Sequence, residues 1–223
     1  MSARLPLAFA GAMPELDFAV LDAGPLAHAA VPALRFDVRV SSRGGEAIRS
    51  VVLETQIQIA AQRRGYDDPT EVRLYELFGE PERWGSTLRT LLWTRVTQVV
   101  PAFTGETVVE LAVPVTYDFE VVASRYLDAV RDGDVPLELL FGGTLFYAGP
   151  DGRLQTARIS WDREAEYRMP ARVWHETMER AFPGTAWVRL RRDTFDRLQA
   201  YKSRGALTSV DAAIDQLLGG QTP

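Results

Sequence analysis

Leu34-Arg35-Phe36-Asp37-Val38-Arg39-Val40-Ser41 alternates apolar with polar side chains without a break. A two-residue period places one set on a buried face and the other in water, which is the signature of a half-buried β-strand. The same period continues outward. Residues 41–46, which include Gly44-Gly45, read as a turn. Val51, Leu53, Ile57 and Ile59 then alternate with Val52, Glu54, Gln56 and Gln58, so the two runs are expected to pair as an antiparallel hairpin. A strand near 16–21 leads in, and strand pattern resumes at 87–100 and at Thr107, Val109, Leu111, Val113 and Val115, with Thr104-Gly105 between them. Two more strands are expected, over 135–147 and 153–167, joined by Gly149-Pro150-Asp151-Gly152. Gly142-Gly143 inside the first reads as close packing within a strand. It lacks the Gly-x-Gly-x-x-Gly or Walker lysine of a phosphate cradle.

Two helical interruptions are expected. Asp68-Pro69-Thr70-Glu71 reads as an N-cap, a helix-opening proline and a third-position carboxylate, starting a helix that Gly79 stops after Phe78. This insertion at 68–84, with the residues just before it, gathers Tyr66, Tyr75, Phe78 and Trp84. The cluster reads either as a partner-binding aromatic patch or as a satellite core under a long loop. Further on, Phe119, Val122, Ala123, Tyr126, Leu127 and Val130 form one helical stripe, with Asp118 as cap and Gly133 as stop. The expectation is an α+β protein. Residues 1–169 form a mainly antiparallel sheet domain with a covering helix, and 170–223 form a C-terminal helical region opening with a helix over 170–182.

Composition narrows the chemistry. The 223 residues are 46% hydrophobic and carry a net charge of −5. Residues 187–223 hold six basic against four acidic side chains, leaving 19 against 26 for the rest, which should repel a phosphate backbone. Only Lys202 among 25 basic residues is lysine. Cysteine is absent, which excludes disulfides, thiolate metal sites, iron–sulfur ligation and cysteine nucleophiles. No apolar run approaches 18 residues, and Pro6 interrupts the short N-terminal one, so we expect a cytoplasmic protein with no membrane segment. His28 and His175 lack metal-ligand spacing. The acidic pairs Asp67-Asp68 and Asp132/Asp134 flank proline or glycine and read as turn and cap chemistry, which leaves a carboxylate-based enzyme as a third reading. No catalytic residue, metal site or cofactor is expected.

The C-terminal stretch 187–218 resembles a ribbon-helix-helix unit. Trp187-Val188-Arg189-Leu190-Arg191 alternates, a helix follows over 193–204, Gly205 stops it, and a second helix spans 209–218. Asp193 and a Thr208-x-x-Asp211 opening cap the two helices, and Ala213, Ile214, Leu217 and Leu218 face inward. The resemblance implies a DNA-binding regulator that dimerises and reads the major groove with Trp187, Arg189 and Arg191. The competing reading is a helical hairpin packed on the sheet, with Trp187 and Leu190 as core.

Most of residues 30–218 is similar to an uncharacterised family, a domain-of-unknown-function group. The likeness rests on Tyr117-Asp118-Phe119-Glu120-Val121, Val135-Pro136-Leu137, Phe141-Gly142-Gly143-Thr144-Leu145-Phe146-Tyr147 and Trp187-Val188-Arg189-Leu190-Arg191-Arg192-Asp193-Thr194-Phe195-Asp196-Arg197-Leu198. That resemblance implies a neighbourhood of nickel–iron hydrogenase genes, and so accessory or maturation work. A remoter similarity is to SecB-type export chaperones, carried by the strand order and by Arg131-Asp132-Gly133-Asp134-Val135-Pro136 ahead of an extended apolar segment. The functional expectation is a non-enzymatic accessory or assembly protein, chaperone-like and hydrogenase-associated, that binds a protein partner such as a hydrogenase subunit and forms a homo-oligomer. The DNA-binding regulator is the alternative.

Overall fold

In the computed structural model, residues 13–44, 46–115, 120–185 and 190–219 are described. Strands and helices both contribute, in an α+β arrangement that divides into two compact units, residues 1–183 and 184–223.

The first unit contains two antiparallel sheets. One has the order β1 (Leu16–Pro25), β2 (Ala33–Ser42), β6 (Glu106–Pro114). The other has β4 (Leu91–Val100) beside β3 (Ala47–Ile59), β3 beside β7 (Asp134–Ala148), and both β8 (Leu154–Arg158) and β9 (Glu164–Pro170) on the far side of β7. The short β5 (Phe103–Thr104) pairs with the start of β3.

The expected β2–β3 hairpin is not there. β2 pairs with β1 and β6, β3 pairs with β4, β5 and β7, and the turn between them carries the chain from one sheet to the other. Alternation fixes which side chains are buried, and both strands satisfy it: Leu34, Phe36, Val38 and Val40 on β2 and Val51, Leu53, Ile57 and Ile59 on β3 are all buried. It says nothing about which strand lies alongside. Here the two apolar faces meet across the core instead of side by side. Phe18 stacks on Phe141 with ring centroids 4.3 Å apart, and Phe36 lies edge-on to Trp93 at 6.1 Å and to Tyr167 at 6.3 Å, each pair bridging the sheets. Burying each such side chain contributes roughly 1.5–3 kcal/mol.

The strand expected over 153–167 is two strands. β8 pairs with 144–148 of β7 and β9 with 134–140, so residues 159–163 loop out opposite 141–143. Gly143 lies at this break with φ +124°, and a Cβ there would sit 2.0 Å from the Val52 carbonyl oxygen. This is the close backbone approach that the Gly142-Gly143 pair suggested.

All the helical segments of this unit leave from one end of the sandwich, where β1, β3, β6 and β9 finish and β2, β4 and β7 begin. They are α1 (Asp68–Phe78), the four-residue α2 (Trp84–Thr87), a π-turn (Glu120–Ser124) running into α3 (Arg125–Ala129), and α4 (Ala171–Ala181). The cap of α1 is Asp67, one residue before the expected one: its Oδ1 accepts from Thr70 N at 3.2 Å, and Pro69 stands second in the helix. The Thr70 hydroxyl, together with that backbone hydrogen bond, holds the Asp67 carboxyl below its ordinary range. From Val122 to Leu127 the stripe around Tyr126 is helical as expected, although Val122 is exposed; Val130 is the extended residue that ends the helix, and Phe119 and the assigned cap, Asp118, lie outside the described residues. The first compact unit runs to residue 183 and so includes α4. α4 packs on β1 and β2, burying Val173, Trp174 and Thr177, with Trp174 edge-on to Trp93 at 6.4 Å.

At the opposite end an ion network fastens the sheets. Arg163 Nη1 donates to Asp17 Oδ1 and its Nη2 to Glu15 Oε2, both at 3.1 Å, while Arg43 Nε donates to Asp17 Oδ2 at 2.5 Å. The Arg43 hydrogen bond, helped by the charges of Arg43 and Arg163, holds the Asp17 carboxyl below its ordinary range. A carboxyl with a lowered folded-state pKa stabilises the fold above its unfolded-state value, and that contribution is lost as pH falls through the lowered value. Thermal melts across pH should therefore show Asp17→Asn less stable than the parent at neutral pH, with the difference shrinking below about pH 4. Arg163, whose side chain is 17% exposed against 57% for Arg43, should be the costlier to remove, with Arg163→Ala losing about 2 kcal/mol.

Candidate functional site

The four aromatic residues of the insertion do not share a surface. Phe78 and Trp84 are buried, Tyr66 is half-buried, and Tyr75 points away on the outer side of α1, 55% exposed. Tyr66 lies edge-on to Trp84 at 5.2 Å and to Tyr126 at 6.4 Å, and Phe78 edge-on to Trp84 at 6.2 Å and Tyr126 at 6.4 Å. Edge-on rings in a closed cycle are a packing arrangement, the satellite-core alternative of the sequence reading.

Polar atoms in the cluster are satisfied internally. Tyr66 OH donates to Ala61 O at 2.6 Å, since a carbonyl can only accept. Its one proton is thereby spent, so the 2.8 Å contact with Tyr126 OH has Tyr126 as donor. Burial raises both phenols above their ordinary range. Trp84 Nε1 donates to Gly79 O at 3.0 Å. Arg73 Nε donates to Ala129 O at 2.7 Å and His175 Nε2 to Val130 O at 2.9 Å, so a guanidinium and an imidazole close the C-terminus of α3. Trp174 Nε1 donates to Asp128 Oδ1 at 2.5 Å, tying α4 to α3. His175 thus has a structural partner. Asp132 lends its main-chain oxygen to Arg64 in the turn before β7. Among the described residues no group of His, Asp or Glu is arranged to hold a metal ion.

What the first unit presents outward is the far edge of the larger sheet. Every residue of β8 except Ala157 is exposed, and among the described residues no strand pairs with its outer side. Of the other borders, β1 lies close to β9 and β4 close to β6. Directly after β8, Trp161 stands 90% exposed in the loop that Gly143 and Arg163 define. Sequence reasoning missed this residue because a continuous strand over 153–167 puts Trp161 in phase with Ala157, Ile159, Ala165 and Tyr167, the inward set. Arg163 would fall in the same phase, and an arginine on a core face was the available sign that the strand breaks.

The second unit is a helical hairpin of α5 (Arg192–Arg204) and α6 (Val210–Gly219). Trp187 and Arg189, assigned to groove reading, lie outside the described residues; Arg191 is exposed, extended, and paired with Asp193 at 3.5 Å. Gly205 does not take the left-handed position at the helix end. Ala206 does, with φ +50°, while Ala206 N donates to Ser203 O and Leu207 N to Lys202 O, a Schellman closure shifted one residue from the glycine. Ser209, rather than Thr208, caps α6: its Oγ accepts from Ala212 N at 3.0 Å. Leu190, Phe195, Ile214, Leu217 and Leu218 are exposed, and Ala213 alone of the two helices is buried.

Fold and surfaces together define a two-sheet sandwich closed at one end by helices and followed by a small helical unit. The chain belongs to DUF6084, a family of unknown function whose match covers residues 13–223. No curated protein matches the sequence. Among solved structures, a putative late embryogenesis abundant protein is similar over 71% of this chain and 73% of its own, at 16% identity and a TM-score of 0.31. The CARDB domain of a Pyrococcus furiosus protein, solved with di-metal ions, gives 11% identity, 74% and 93% coverage, and 0.27. The putative ApaA protein of Bordetella pertussis gives 12%, 70% and 94%, and 0.26. Likenesses this weak carry no argument about function. No helix among the described residues is long and apolar enough to cross a membrane.

The phenol chain makes an asymmetric prediction. Tyr66→Phe strands both Ala61 O and the Tyr126 hydroxyl and should cost about 2 kcal/mol, whereas Tyr126→Phe removes one donor and should cost about 1 kcal/mol. Urea denaturation of the two variants measures the difference.

Proposed function

We propose that the protein is a non-enzymatic accessory or assembly protein that binds another protein along the open edge formed by β8 and the Trp161 loop. The supporting observation is the exposure of Trp161, 90%, on a loop held in place by the ion pairs that Arg163, two residues on, makes with Glu15 and Asp17. A large indole on an anchored backbone loses little conformational freedom on binding, and tryptophan is enriched among residues that dominate interface energies. Beside it, the unpaired main-chain groups of Leu154–Arg158 can accept an extended segment of a partner as an added strand. Leu154, on the outer face with Phe146, supplies an apolar contact for alternate side chains of such a segment.

The partner implied by the sequence resemblance is a hydrogenase subunit or its precursor in the cytoplasm, and the SecB-type similarity implies an extended client. Affinity capture from native extract tests both levels of this reading. The parent chain should retain a partner, a hydrogenase polypeptide under the finer reading. Trp161→Ser should bind that partner at least 30-fold more weakly, as loss of a central interface anchor of about 2 kcal/mol requires. Equal retention by the parent and the variant contradicts the edge as the binding surface.

A further inference from the structure

The α5–α6 hairpin carries a surface that the edge-binding reading does not use. Phe195, Leu198 and Tyr201 on α5, with Ile214 and Leu217 on α6, line one groove, and Arg197, Arg204 and Asp211 stand on its rim. Two helices of 13 and 10 residues that bury only Ala213 have almost no core of their own. Units below about 40 residues generally need a disulfide, a metal or association to be stable, and this chain has no cysteine.

The charges on the two helices, on the groove rim and flanking it, indicate the occupant. Arg192 is paired with Asp196 at 3.1 Å within α5, but Arg197, Lys202 and Arg204 on α5 and Asp211 and Asp215 on α6 form no ion pair among the described residues. The free cations therefore sit on one helix and the free carboxylates on the other. A surface divided in this way is complementary to itself. We propose that the groove is filled by the same groove of a second copy of this chain, related by a two-fold axis running along the helices. That operation lays α5 of one copy antiparallel over α6 of the other, because α5 and α6 of one hairpin already run in opposite directions. Arg204 then meets Asp211 of the second copy and Arg197 meets Asp215, each pairing occurring twice. The apolar side chains close a four-helix core between them.

The size of the face sets the strength. A helix of 13 residues is about 20 Å long and two helices side by side span about 20 Å. The contact covers roughly 400 Å² per copy, about 800 Å² for the pair, at the weak end of specific interfaces. A concentration-dependent dimer with a micromolar dissociation constant is expected.

Sedimentation equilibrium of the full chain from about 1 to 500 μM tests the proposal. The parent should pass from monomer to dimer, whereas Arg197→Glu/Arg204→Glu and Asp211→Arg/Asp215→Arg should each remain monomeric with unchanged helical circular dichroism. Mixing the two variants should restore a dimer containing one copy of each. A parent that stays monomeric throughout, or variants that self-associate as the parent does, overturns the proposal. So does a mixture of folded variants that fails to pair. None of these outcomes bears on Trp161, whose test reads partner retention rather than mass.

Discussion

The close approach of β7 to β3 at Gly143 is the constraint on which the rest of the sandwich depends. β7 pairs with β3 along one side and with β8 and β9 in succession along the other, so it is the strand that joins β8 and β9 to β3 and, through β3, to β4 and β5. At Gly143 its backbone comes so near the Val52 carbonyl that no side chain fits. At the same place its outer partner changes from β9 to β8 and five residues loop out opposite three. That loop holds both the arginine that fastens the two sheets and the exposed tryptophan. A feature of main-chain geometry in one strand thus sets a stabilising contact and the most exposed large hydrophobic side chain among the described residues of the first unit.

Much of this was legible because burial leaves a period in sequence. The alternation at 34–41, 51–59 and 107–115 identifies strands and their inward residues correctly, since a half-buried strand has no other way to be written. Partner choice leaves no such trace. A turn between two alternating runs looks the same whether the chain folds back beside itself or crosses to the opposite sheet, and residues 41–46 do the latter. Glycine was informative about position but not about role: Gly143 marks a close approach as read, whereas at the end of α5 the left-handed residue is Ala206, next to the glycine that signalled the stop.

The surface readings differed for a physical reason. Aromatic residues clustered in a loop-rich segment read equally as a binding patch or as a small core, and composition does not separate the two. The separation comes from hydrogen bonding in three dimensions. Tyr66, Tyr126 and Trp84 all spend their polar atoms on nearby groups, which turns the cluster inward and leaves Tyr75 alone in solvent. Trp161 was hidden by the opposite circumstance, a phase that matched the core. Among the described residues, the β8 edge and the hairpin groove are two surfaces that keep unspent bonding capacity.

The claim that β7 must approach β3 this closely is tested most directly by comparing two neighbouring glycines. Gly142→Ala meets nothing within 4 Å and should change the unfolding free energy by no more than about 1 kcal/mol. Gly143→Ala places a methyl group against the Val52 carbonyl at a positive φ and should cost about 3 kcal/mol or more, measured by thermal and urea denaturation. Equal stability of the two variants would contradict the account.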